Sequence, residues 1–385
     1  MELISGVILG LIVLTLLVVA HELGHAITAR RNGVVVEEFG VGFPPKAWSK
    51  KLKKSWLGKN VEYSVNWLPL GGFVKLQGEN DAASGKGDYG AASFWQKTKI
   101  LLAGVMMNWL VAAVLFTALA WVGLPKILPN QFTVPGDTVV TKQPVELAYV
   151  AKDSPAEQAG LKAGDQILSL AGSDVASADK LSELTAQNKG RNVPVVYKRA
   201  GHEQTINVQL RDDSKEGYLG VNQVQREEIK ATWSAPVVGV GTTIQLSYET
   251  VKGLGDLLYK SISGAIMQFS GDKTASEQAK QDLEFARNSV AGPVGIFGTI
   301  FPAAEKAGPT HVVLVAAIIS LSLAVMNILP IPALDGGRWF VTALYRIRKK
   351  ELLKETEEKI HGTGFMVLIG LILLITVVDI GKLFG

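Results

Sequence analysis

The chain contains no cysteine in 385 residues. That absence excludes disulfides and thiolate metal sites, so any metal must be held by histidine and carboxylate side chains. Charge is sparse as well: 19% of residues are charged and 48% are hydrophobic, with a mean hydropathy of +0.23. This balance is too apolar for an ordinary soluble enzyme. No internal repeat or long low-complexity stretch occurs. The formal net charge of +4 does not mark a nucleic-acid partner, because the basic residues gather beside apolar runs, where anionic lipid accounts for them.

What stands in place of charge is a set of long apolar runs. Residues 3–29, 98–122, 310–329 and 363–378 are long enough to cross a bilayer, the last at the short end of the range. The first run begins beside Glu2 and has no basic leader, so it reads as a retained span rather than a cleaved signal peptide. Lys and Arg are dense after the first run (Arg30, Arg31, Lys46, Lys50, Lys51) and after the third (Arg346, Arg348, Lys349, Lys350). The positive-inside rule makes both regions cytoplasmic and puts both termini and residues 123–309 on the outer side.

The expected fold is therefore a polytopic α-helical membrane protein of about four spans, with a membrane-associated β-hairpin or sheet and an inserted α+β domain. Residues 1–30 and 98–122 form the first two spans. Between them, residues 31–97 carry the strand-like stretches "VVVEEFGVGF", "VEYSVNW" and "GGFVKLQG", with the turn signal "LPLGG" joining the last two. The apolar content of 61–76 suits a hairpin dipping toward the membrane and, equally, one that only packs on helices. After a linker at 123–143, residues 144–228 include "SPAEQAGLKAGDQILSLAG". There Ser154 can cap a short helix, Pro155 takes its first position, Gly160 ends it, and Gly164 with Asp165 turns the chain into a strand. Strands "NVPVVYKR" and "QTINVQL" then pair across Ala200 and Gly201. The pattern is similar to a bacterial PDZ domain, whose groove at "YLGV" would take a peptide tail or stand as a structural module. Residues 229–309 read as surface helices and a connecting loop, with amphipathic spacing over 233–270. Residues 310–338, 339–362 and 363–380 follow as third span, cytoplasmic loop and fourth span.

The chemistry gathers at "HELGH" in the first run. His21 and His25, four apart on a helix, project from one face and can hold one metal ion, with Glu22 near enough to act on water activated by it. Ionisable groups in a span are costly, which makes a function their default explanation. A zinc site of three protein ligands needs one more, and "MNILPIPALDGGR" at 326–338 offers Asp335. Pro330 and Pro332 break the third span there, so Asp335 would arrive on an unwound stretch beside Gly336 and Gly337. Asn327 could donate its amide to a substrate carbonyl or simply join helices; for Asn108 in the second span, joining helices is the stronger reading.

Together, "HELGH", "NILPIPALDGG" and the PDZ-like insert resemble the site-2 protease family of intramembrane zinc metalloproteases, especially the bacterial regulator-of-sigma-E type, over nearly the whole chain. The resemblance implies that His21, His25 and Asp335 bind Zn2+, that Glu22 is the general base, and that Asn327 contacts the scissile segment. It also implies that the hairpin receives substrate as an added strand, along Gly72, Phe73, Val74, Lys75 and Leu76. The implied substrates are single-span membrane proteins, such as anti-sigma factors or remnant signal peptides, cut within the bilayer of a bacterial inner membrane. Two departures stand out: one PDZ-like unit where the sigma-E type often has two, and "AGVMMN" where many relatives carry Gly-Pro before the Asn. The alternative, a catalytically idle membrane scaffold that captures protein tails, would not need His21, Glu22, His25 and Asp335 all present.

Overall fold

The computed structural model describes residues 2–199, 201–213, 217–267 and 273–384. It divides into two units, Met1–Ala120 with Ser234–Gly385, and Trp121–Trp233. Ala200 and residues 268–270 of the expected amphipathic run lie outside the described residues.

Helix α1 (Glu2–Arg31) is apolar throughout, so packing rather than amphipathicity decides its faces. Leu3, Ile4, Ile8, Ile12 and Leu16 are exposed at helical spacing, the stripe expected to face lipid. Gly6, Gly10, Leu17, His21, Gly24 and His25 are buried on the other side. Strands β1 (Val36–Leu52) and β2 (Val61–Leu76) follow and pair with each other. Their register has a consequence: Phe39 lies opposite Val74 and also opposite Tyr63, and Val41 opposite both Gly72 and Val65. Each long strand thus folds back on itself, β1 at Pro44 and Pro45 and β2 around Gly71, where φ is +86°. The expected turn at "LPLGG" is this bend, and it leaves 72–76 as an arm on one flank of Phe39. Helix α2 (Phe94–Val122) returns the chain along α1.

The second unit holds an antiparallel six-stranded sheet and a three-stranded one. Its elements are β3 (Leu124–Pro125), β4 (Val139–Lys142), β5 (Val145–Val150), α3 (Pro155–Ala159), β6 (Gln166–Leu170), β7 (Ser173–Asp174), α4 (Ala178–Gln187), β8 (Asn192–Arg199), β9 (His202–Gln209), β10 (Val221–Val224) and β11 (Glu227–Lys230). Val145, Leu147, Ile167, Leu170, Val195 and Val208 form its core. The Ser154 hydroxyl accepts from the Glu157 N–H at 3.1 Å, a cap of about 1 kcal/mol, and Gly160 ends α3 at φ +93°. Buried Asp165 is clasped by Arg199 through two contacts of 2.6 Å. Residues 123–143 are not a plain linker as expected, because β3 and β4 both pair with β11. That pairing spans about a hundred residues of chain and leaves no local trace in sequence.

The chain then continues through α5 (Ala235–Met267), α6 (Lys273–Ser289), α7 (Pro293–Gly295), a π-helical turn at Ile296–Ile300, α8 (Phe301–Ala307), α9 (Pro309–Ile328), α10 (Asp335–Ile347) and α11 (Lys354–Phe384). Among the described helices, α1, α2, α9 and α11 are long and apolar enough to cross a membrane. The helix of the third span is Pro309–Ile328, the apolar run itself, and the motif segment up to 338 lies beyond it. Asp335 opens a separate amphipathic helix instead of sitting on an unwound end. The expected cytoplasmic loop at 339–362 is correspondingly mostly helix, shared between α10 and the start of α11.

Candidate metal centre

Close helix approach builds this centre. A Cβ on Gly24 would stand 2.5 Å from the Ala103 carbonyl oxygen, and one on Gly104 would stand 2.3 Å from His25 Nε2 and 2.6 Å from His21 Nε2. With no side chain at either position, α1 and α2 touch and the two imidazoles lie against α2, the role small residues play between spans. His21 and His25 are almost wholly buried, at 7% and 6% exposure. The His25 Nδ1–H donates to the Ile100 carbonyl at 2.7 Å, which leaves its Nε2 lone pair free toward the centre. The Asn108 side chain lies 3.2 Å from His21 Nδ1.

Asp335 comes from the break after α9. Leu329 to Leu334 are irregular, with Ala333 at φ +81°, a conformation held only where surrounding packing fixes it. Gly336 and Gly337 are not flexible joints. A Cβ on either would strike the Ile328 or Ile331 carbonyl at 2.2 and 1.9 Å, so their lack of a side chain lets α10 begin directly on the break. Asp335 stands in the first turn of α10, where the helix dipole favours a carboxylate. Arg338 on the next turn reaches Glu79 at 3.6 Å and Glu357 at 3.5 Å and lies over the Tyr89 ring. Burial pushes the Tyr89 hydroxyl well above its ordinary value, so that ring stays neutral beneath the guanidinium. A cleft of about 360 Å³ lined by Glu79, Arg338, Glu357 and His361 opens onto Asp335.

Three ligand atoms converge. His21 Nε2 lies 3.0 Å and His25 Nε2 3.2 Å from Asp335 Oδ2, and the two nitrogens are 3.1 Å apart. Asp335 Oδ2 is buried yet satisfies hydrogen-bond geometry with no neighbour. Ligand–metal bonds of about 2.0–2.1 Å around a tetrahedral zinc separate ligand atoms by roughly 3.3 Å. The triangle therefore suits one such ion, with Gly104 leaving the room that a Cβ would fill. Glu22, half-buried, couples electrostatically with His25, His21 and Asp335, and its Oε2 accepts from the Val74 N–H at 3.1 Å.

That last contact brings the β2 arm to the centre. The Thr15 hydroxyl donates to the Pro69 carbonyl at 2.8 Å, Gly71 rests on Val18 and Gly72 on Val19, so 69–74 runs beside α1 down to Glu22. Of the other arm residues, Phe73 packs over Gly40, Lys75 pairs with Glu37 at 3.0 Å, and Leu76 is buried in the apolar cluster below. Asn327 is half-buried in the last turn of α9, and among the described residues no hydrogen bond joins it to the triangle. The features that sequence reasoning missed are Gly24, Gly104 and the reach of Asn108 to His21. Only the spacing of Gly104 and Asn108, four apart on one face of α2, could have hinted at them.

Residues 9–371 match the profile of peptidase family M50. Among similar proteins, a putative zinc metalloprotease of Clostridium perfringens is 30% identical over 375 residues, covering 97% of this chain and 98% of its own length. The regulator of sigma-W protease RasP of Bacillus subtilis is 25% identical over 465 aligned residues, covering 99% of each chain. The zinc metalloprotease RasP of Geobacillus kaustophilus is 25% identical, covering all of this chain and 99% of its own.

Proposed function

The chain belongs to peptidase family M50, the site-2 protease family of zinc metalloproteases, and on that premise we propose that it cleaves membrane-spanning segments of single-span proteins. His21, His25 and Asp335 are the proposed zinc ligands and Glu22 the general base. The observation that carries the reading is the triangle of 3.0–3.2 Å among the three ligand atoms with Glu22 beside it. Bound there, zinc supplies Lewis-acid polarisation of the scissile carbonyl and makes water a competent nucleophile at neutral pH. Glu22 takes the proton from the attacking water and passes it to the leaving amine. A substrate helix hides its carbonyls in its own hydrogen bonds, so it must unwind first. The arm Gly72 to Leu76 would receive the unwound segment as an added strand, a role supported by the Val74 N–H reaching the base itself. Asn327 is the proposed further contact to the scissile segment.

The proposed setting is a bacterial inner membrane, with both termini and the second unit outside. In that unit a groove of about 320 Å³ between α4 and β10, lined by Leu181, Thr185, Leu219 and Val221, supports a PDZ-type seat for a peptide tail at "YLGV". An idle scaffold is not favoured, since it gives no reason for four ionisable side chains to converge in the span region. The test is cleavage of a single-span reporter by purified protein. Activity should vanish with a chelator and return with zinc; activity untouched by the chelator would refute the reading.

A further inference from the structure

We propose that Asn108 is a positioning residue of the metal centre, its side-chain oxygen accepting a hydrogen bond from the His21 Nδ1–H and so holding the imidazole in the tautomer whose Nε2 can ligate. The inference rests on the proposed centre of His21, His25 and Asp335. Asn108 is fully buried within the apolar α2, where a polar side chain without a partner is unfavourable. Its side-chain Nδ2, the end that trades places with the oxygen on a half-turn of the amide, lies 3.2 Å from His21 Nδ1, while His21 Nε2 faces the other two ligand atoms at 3.0 and 3.1 Å.

A neutral imidazole carries one N–H. If Nε2 is to offer its lone pair to a metal, the proton sits on Nδ1, and whatever stands beside Nδ1 must accept. Only the oxygen end of the Asn108 amide can do so. The two ends have the same shape and exchange by a half-turn; in the structure the nitrogen end faces Nδ1 and the oxygen is buried without a partner. One end of the amide lacks a partner in either orientation, so the internal balance is even and the ligand chemistry of His21 decides. His25 follows the same logic, its Nδ1–H donating to the Ile100 carbonyl at 2.7 Å. Both imidazoles are thereby oriented from α2, at positions 100 and 108, two turns apart. Asn108 is fixed in its turn from α9, where the Ser320 hydroxyl donates to its backbone carbonyl at 2.8 Å. Outer partners of this kind set ligand orientation and basicity.

The test is zinc affinity of the full chain in detergent, measured by competition with a chromophoric chelator, for wild type, Asn108→Leu and Asn108→Asp, beside the thermal midpoint of each zinc-free protein. Leucine fills the space without an acceptor and should weaken zinc binding by about 10–100-fold. Aspartate keeps an acceptor oxygen and loses the NH₂ donor, and should hold zinc nearly as wild type does. Wild-type affinity in the Leu variant would overturn the proposal. So would an Asp variant as weak as Leu with both midpoints lowered, the mark of a residue that only joins helices. If neither variant folds, ¹⁵N spectra of histidine-labelled, zinc-loaded wild type decide: a protonated His21 Nδ1 is expected, and a bare one refutes the role. A wild-type protein that binds no zinc would remove the centre itself, an outcome separate from equal binding by all three.

Discussion

Glu22→Gln preserves the side chain's shape and its acceptor toward the Val74 N–H, and removes its charge and with it the capacity to take a proton. Zinc content should stay at the wild-type level while reporter cleavage falls by about 10²–10⁴-fold; wild-type turnover in this variant would strip Glu22 of its role. Asp335→Ala should instead lower zinc content, because it deletes one of three converging ligand atoms. Gly104→Ala sets two effects against each other. Alanine favours a helix by about 1 kcal/mol over glycine, yet its methyl would stand 2.3 Å from His25 Nε2. Overpacking a buried contact costs about 1–3 kcal/mol, so the expected result is a zinc-free protein no more stable than wild type whose zinc affinity is also reduced, read by a melting curve and chelator competition. His21, Glu22, His25 and Asp335 were legible in the sequence because ionisable groups in apolar runs are conspicuous and HExxH has a fixed helical geometry. Gly24, Gly104 and Asn108 were not, because what they set is the distance between α1 and α2, and local spacing does not encode a helix crossing.

At the scale of elements, the β2 arm is where pattern and packing part company. Alternation in "VEYSVNW" and the turn signal at "LPLGG" were readable from sequence; that Val41 has neighbours on both flanks, and that the arm runs beside α1, was not, since both depend on pairings between distant segments. The arm offers a clean substitution. The Val74 N–H points to Glu22 and not into the ladder with β1, so proline there removes one contact at the centre without opening the sheet, the edge position at which proline is tolerated. One hydrogen bond is worth about 1 kcal/mol net, and Val74→Pro should therefore reduce cleavage by roughly fivefold on that account, any excess reporting a substrate strand that can no longer seat. Zinc content should not change. Unaltered cleavage of the reporter would detach the arm from the mechanism. The end of the third span is a second case: two prolines marked the break, but the start of α10 at Asp335 depended on Gly336 and Gly337 lying against the Ile328 and Ile331 carbonyls.

At the scale of the whole molecule, the proposed chemistry belongs to one unit. His21, Glu22, His25, Val74, Gly104, Asn108 and Asp335 all fall within Met1–Ala120 and Ser234–Gly385, while Trp121–Trp233 carries its own sheets and its own apolar core. Every proposed ligand and the proposed base thus belong to the first unit, and on the proposed topology the second unit stands outside the membrane while the motifs lie near the inner face. Its remaining way to influence cleavage is over access, by obstructing substrates that still carry a bulky outer domain and admitting those already shortened. Replacing residues 123–233 with a short Gly/Ser bridge should leave zinc stoichiometry intact and preserve cleavage of a short-tailed single-span substrate, since every proposed ligand and the base remain. The difference should emerge with a long-tailed substrate, uncut by the intact enzyme and cut once the unit is gone. Both substrates are to be assayed with both proteins in the same membranes. Should the shortened enzyme process the short substrate and still leave the long one uncut, obstruction is not what the unit does, and the groove between α4 and β10 becomes a matter of stability or of tail binding alone.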